Sequence, residues 1–247
     1  MTQREKHITN LNKSENWIEY LMQNSGLPGK RANLELLKIV TELGSEQFFK
    51  KCLKLDEIIA PTNTQGEFVA MCGVTGLGKL IYNGKQEYFD LLRKFASDSR
   101  WRVREGVAIA LQLIGEKDFR LLIENIIEWK KGNPYEKRAV VAGLCEPSLL
   151  KERQNAEIVL KILNEITNSI EHITDRKSGP FRVLRKGLGY GLSVAIVAYP
   201  ENGKMIFENL STQTDKDIRW ILNENLKKKR LEKMDKIWTD KMKNASA

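Results

Sequence analysis

Ser99-Arg-Trp-Arg-Val-Arg-Glu-Gly-Val-Ala-Ile-Ala-Leu-Gln-Leu-Ile114 is echoed along the chain. Aligned with Gly66-Glu-Phe-Val-Ala-Met-Cys-Gly-Val-Thr-Gly-Leu-Gly-Lys-Leu-Ile81, it places Trp101 on Phe68, Gly106 on Gly73, Val107 on Val74, Leu113 on Leu80 and Ile114 on Ile81. A third copy opens at Pro134-Tyr-Glu-Lys-Arg138, where Tyr135 falls on Trp101, Arg138 on Arg104 and Val141 on Val107. Later copies open at Gly179-Pro-Phe-Arg-Val-Leu-Arg185 and Asp215-Lys-Asp-Ile-Arg-Trp220, and a weaker one near Ala32-Asn-Leu34. The period is roughly 33 to 46 residues, the length of a two-helix unit.

Each copy has the same physical plan. A turn residue caps the first helix, an aromatic or Ile enters the core soon after, and a small residue such as Gly73 or Gly106 lets a neighbouring helix come close. One such pair cannot bury its own apolar face, so pairs are expected to stack. Outside the repeats the pattern is also helical. Apolar residues recur three and four apart at Leu34, Leu37, Val40 and Leu43, and again at Ile158, Ile162, Leu163, Ile166 and Ile170. No stretch alternates apolar and polar residues between hairpin turns, as a strand would.

Breaks are expected at Gly26–Gly29, Leu43–Ser45, Ala60–Gln65, Asn83–Gly84, Ser97–Ser99, Gly115–Lys117, Gly132–Pro134, Cys145–Ser148, Asp175–Pro180, Pro200–Gly203 and Ser211–Asp215. Most combine a capping Ser, Thr, Asp or Asn with a helix-ending Gly or Pro. About eleven or twelve helices follow, and the class is all-α. The expected organisation is a flexible arm over 1–13, one α-α superhelix (solenoid) of about five or six helical pairs over 14–238, and a polar tail over 239–247.

The stretch Asp98-Ser-Arg-Trp101-Arg-Val103-Arg104 resembles the opening of a repeat in the HEAT-repeat family, with an acidic turn residue followed by Trp, Val and Arg. The likeness runs from about Gly26 to Ile237 and is strongest in the middle. It implies a solenoid scaffold and leaves function open.

Trp101 followed by Arg104 is also similar to one helix of the bacterial HEAT-like alkylpurine DNA glycosylases, which hold DNA on a concave face and excise alkylated bases. That resemblance implies a catalytic carboxylate in the preceding repeat and a second aromatic in the following one. Phe68-Val-Ala-Met-Cys-Gly-Val74 supplies no carboxylate, and Arg138-Ala-Val-Val-Ala142 supplies no ring. The catalytic set is therefore not carried over. Arg104 is expected to pair with a turn acid such as Asp98, and Glu67 and Glu105 are the acids of the central first helices that could face a cleft.

The chain has 247 residues, enough for one repeat array, and its 41% hydrophobic content excludes a disordered polymer. Its formal charge of +9 favours acidic partners. Cys52, Cys72 and Cys145 are odd in number, widely spaced and set in apolar helical patterns, so they read as buried thiols in a reducing compartment. Residues 1–13 are polar, with no leader-like apolar run, and Leu188–Tyr199 is too short to span a bilayer. A cytoplasmic protein is expected.

Enzyme signatures are sparse. His7 and His172 have no partner at metal-ligand or nucleophile spacing, and no Lys-Ser or Lys-Thr follows Gly73, Gly76 and Gly78 to make a phosphate loop. Neither a cofactor nor a catalytic residue is expected. Basic clusters stand out instead. Arg93, Lys94, Arg100, Arg102 and Arg104 surround Trp101; Arg176, Lys177, Arg182, Arg185 and Lys186 surround Phe181; Arg219 and Lys227–Arg230 flank Trp220. The candidate binding residues are Arg100, Trp101, Arg102, Arg104, Arg182, Arg185, Lys186 and Arg219, offered to an acidic protein or a nucleic acid. The segment Lys227–Lys243 reads as one amphipathic basic helix.

Overall fold

The structure is a computed structural model that describes residues 1–245. Among those residues every regular element is helical, comprising fifteen α-helices and two short 3-10 turns. The chain divides into two compact units, residues 1–117 and 118–247.

The first unit holds α1 (Gln3–Lys13), α2 (Trp17–Asn24), α3 (Leu34–Leu43), α4 (Glu46–Cys52), α5 (Gln65–Tyr82), α6 (Tyr88–Phe95) and α7 (Trp101–Lys117). Its axis is α5, which packs against α2, α3, α4, α6 and α7 and buries nearly its whole surface. The Thr64 hydroxyl caps α5 by accepting from the Glu67 N–H. The α5–α7 contact is close because it runs over glycine. A Cβ on Gly78 would lie 2.8 Å from the backbone of Ala110.

The second unit holds α8 (Phe119–Ile126), a 3-10 turn (Ile127–Lys131), α9 (Pro134–Leu144), α10 (Arg153–Asn168), a second 3-10 turn (Ser169–His172), α11 (Gly179–Ala198), α12 (Pro200–Ser211), α13 (Lys216–Leu226), α14 (Lys229–Met234) and α15 (Lys236–Ala245). Here α11 packs between α9 and α13, while α10 and α12 pack on α11 and on each other. The caps are those that a sequence reading looks for. Asn133 and Glu136 form a reciprocal capping box on α9, Ser178 caps α11 and Asp215 caps α13.

The six expected repeat openings coincide with the starts of α3, α5, α7, α9, α11 and α13. Other expectations are corrected. Residues 3–13, expected to be a flexible arm, form α1, capped by Thr2 and anchored by buried His7 and Leu11. The His7 Nδ1 lies 2.8 Å from the Tyr20 hydroxyl, and the Trp17 indole N–H donates to the Leu11 carbonyl at 2.8 Å. The break expected at Gly115–Lys117 moves to Asp118, whose side chain caps α8. Pro200 begins a helix rather than ending one, because a first-turn proline gives up no hydrogen bond.

The single basic helix expected over Lys227–Lys243 is two. Asp235 is extended (φ −157°) between α14 and α15, and its carboxylate caps α15 by accepting from the Trp238 N–H. Residues 239–245 of the expected tail therefore belong to α15, with Thr239 and Met242 buried, and the last two lie outside the described residues. All three cysteines are buried, and burial pushes the Cys52 and Cys145 thiols up to about 12.

Candidate functional site

The three candidate arginines around Trp101 are inside the first unit rather than on its surface, whereas Lys94 is exposed. Arg100 is 2% exposed. Its guanidinium pairs with Asp98 at 2.8 Å and donates to the carbonyls of Leu55, Asp56 and Ala60, pinning the loop before α5. Arg102 is equally buried, bonded to the Glu67 carboxylate at 3.1 Å and to the Gly29 carbonyl at 2.7 Å. Arg104 donates to the carbonyls of Asp98 and Ser99 in the turn, while the Asp98 carboxylate accepts from Arg100. These three arginines are framework, and of the candidates in this unit only Trp101 is exposed, with the Arg102 guanidinium 4.2 Å from its ring centre. Glu67 is fully buried and Glu105 half-buried on α7.

The second unit treats its candidates differently. Arg182, Lys186 and Tyr190 are exposed and lie four residues apart on α11, which puts them in one row along the helix. Tyr190 is 51% exposed, with the Arg230 guanidinium 4.4 Å and the Lys228 ammonium 5.8 Å from its ring centre. On the neighbouring α13, Lys216 and Arg219 are exposed and Trp220 is half-buried. The Arg185 guanidinium lies 4.4 Å from the Trp220 ring centre, tying the two helices together. Glycines permit close approach on both sides of α11, Gly189 toward α13 and Gly191 toward α9. A Cβ on Gly189 would meet Trp220 at 3.2 Å, and one on Gly191 would meet Cys145 on the other side at 2.8 Å.

Between the N-terminal ends of α11 and α13 the side chains surround a cavity of about 400 Å³. Asp217, 4% exposed, is its anchor and accepts from Arg185 at 2.6 Å and Arg176 at 3.1 Å. Arg176 also bonds Asp215 at 2.6 Å and the carbonyls of Ile170 and Ile173. Burial alone would raise the Asp215 carboxyl, but the Arg176 guanidinium and the N–H groups of Ile218 and Asp217 hold it below its usual value.

Phe181, the ring at the centre of the second cluster, is fully buried core. Tyr190 and Lys216 escaped the sequence reading. Tyr190 was legible as the continuation of the Arg182–Lys186 spacing, whereas nothing local marks Lys216 as lining a cavity. Among the described residues no group of three His, Cys, Asp or Glu side chains is placed to hold a metal ion, and no helix is long and apolar enough to cross a membrane. What this surface offers chemically is fixed cationic donors beside accessible rings, a combination suited to phosphates and bases.

No protein-family model, curated protein or solved structure matches the chain.

Proposed function

We propose that this chain is a HEAT-like helical-repeat protein that binds nucleic acid through the α11–α13 face of its second unit, without doing chemistry on it. The observation that carries the reading is the exposed row Arg182–Lys186–Tyr190 beside Arg219 and Trp220. Cations alone would suit any acidic partner, but interleaved rings add stacking, which bases use and an acidic protein surface does not. The helix starts spaced as in the sequence repeat, with α11 packed between α9 and α13, support the repeat reading. Glu67 lends no support to a base-excision site, because its carboxylate is fully buried and engaged by Arg102 and the Asn63 N–H.

The test is binding of a labelled DNA duplex, a DNA single strand and an RNA across a salt series. The expected result is an affinity whose logarithm falls linearly with the logarithm of salt concentration, with the single strand favoured by stacking. Absence of binding at low salt would overturn the nucleic-acid reading and turn the search to an acidic protein.

A further inference from the structure

The cavity at the N-terminal ends of α11 and α13 is set apart by its charge from two other cavities of the chain. A second cavity in the same unit, lined by Asn168, Glu171, Thr212 and Asp215 among others, has no cation in its wall. A third, in the first unit beside Trp17 and Phe48, has Lys51 against Glu15. The α11–α13 cavity is lined by Arg176, Lys177, Arg185 and Lys216.

The four cations divide by role. Arg176 is spent, since its Nε and both Nη atoms are bonded to carbonyls or carboxylates. Arg185 gives one hydrogen bond, to Asp217, and its Nε is buried with no partner. Lys177 and Lys216 are exposed. Counting Asp175, Asp215 and Asp217 against the four cations leaves one net positive charge at the cavity. A phosphodiester carries one negative charge, has two oxygens free to accept, and attracts both compact ammonium groups and a guanidinium fork.

We infer that this cavity is a cradle for one phosphodiester of a bound nucleic-acid strand, held by Lys177, Lys216 and the terminal guanidinium N–H groups of Arg185 not used by Asp217, its buried Nε taking no part. The inference rests on the nucleic-acid reading above and gives it an address. Asp217 positions rather than repels, because its charge is already balanced by two arginines held in place before any ligand arrives. Trp220, stacked on Arg185, then lies where the nucleotide attached to that phosphate would rest.

The full chain is labelled with 5-fluorotryptophan, with Trp220→Phe assigning the Trp220 fluorine resonance, and titrated with a short oligothymidine strand and, separately, with inorganic phosphate at matched ionic strength. Affinity for the strand is compared between the parent, Lys177→Ala/Lys216→Ala and Lys151→Ala/Lys161→Ala, the last removing the same charge from exposed positions beside and on α10. The cradle predicts about a tenfold loss for the first pair, a salt slope reduced by about one phosphate, and under twofold loss for the second. It also predicts that the strand moves the Trp220 resonance only while Lys177 and Lys216 are present. Equal losses for both pairs, or strand binding that leaves Trp220 unmoved, would overturn the cradle while sparing the wider nucleic-acid reading. If no strand binds, movement of Trp220 by inorganic phosphate still upholds a phosphate site, and a still resonance overturns it.

Discussion

The Arg102 guanidinium donates to the Glu67 carboxylate across 3.1 Å, and neither side chain is more than 3% exposed. The pair joins the first turn of α7 to the first turn of α5, and Glu67 also accepts from the backbone N–H of Asn63 and of Arg102 itself. Removing one partner strands the other charge away from water. Arg102→Leu is expected to cost about 3–5 kcal/mol in urea unfolding. The double variant Arg102→Leu/Glu67→Leu should be the more stable of the two, because it leaves no uncompensated charge. A double variant as unstable as the single one would show that the backbone groups the double variant leaves unpaired, the Gly29 carbonyl and the Asn63 and Arg102 N–H groups, matter as much as the charge.

This pair also marks where sequence reading ends. Helix starts were legible because their signals are local, with a capping side chain and a core residue within one turn, as at Thr64 with Phe68 or Ser178 with Phe181. The role of α1 was not, since its burial depends on Tyr20 and Trp17 arriving from α2. The arginines show the same limit more sharply. Arg102 and Arg182 look alike as members of Arg-rich openings, yet one is core and the other surface. What separates them is a carboxylate 35 residues away and a carbonyl 73 residues away, neither of which spacing along the chain reveals.

Arg100 and Arg182 should therefore fail in opposite assays. Arg100→Ala leaves the carbonyls of Leu55, Asp56 and Ala60 without their shared donor and frees Asp98, so about 2–4 kcal/mol of stability should be lost. Arg182→Ala/Lys186→Ala removes two exposed cations and should leave the urea midpoint nearly unchanged. That second variant should instead weaken nucleic-acid binding several-fold and flatten its salt dependence. Unchanged binding would remove the α11 row from the interface.

Acid should reach the first unit through Glu46. Hydrogen bonds from Lys50, Lys85 and Tyr88 lower its carboxyl from 4.5 to about 2, so the folded state binds its proton less readily than the unfolded chain does. A depressed carboxylate contributes stability that is fully present above the unfolded value and is lost as pH falls toward the folded one. The melting temperature of the parent should accordingly fall between about pH 4.5 and pH 2. Glu46→Gln, which keeps the shape and removes the titration, should melt lower at neutral pH and show a shallower fall. Parallel pH profiles for the two proteins would assign the acid sensitivity to other carboxylates.

Gly187 and Gly191 stand one turn apart on the same side of α11, facing α9, and alanine should change stability in opposite directions at the two. At Gly187 a Cβ would make ordinary contact, 3.5 Å from the Arg138 side chain and 3.8 Å from Val141. Alanine there gains its helix preference over glycine, and Gly187→Ala should stabilise by about 0.5–1 kcal/mol. At Gly191 a Cβ would sit 2.8 Å from both the Cys145 sulfur and a Val141 methyl, and both of those residues are themselves buried. The packing there has no slack, and overfilling a packed core costs about 1–3 kcal/mol, more than the helix preference returns. Gly191→Ala should thus lower stability in urea unfolding. Should it stabilise as Gly187→Ala does, α9 and α11 are free to move apart, and their close approach is not what fixes the spacing of the binding face.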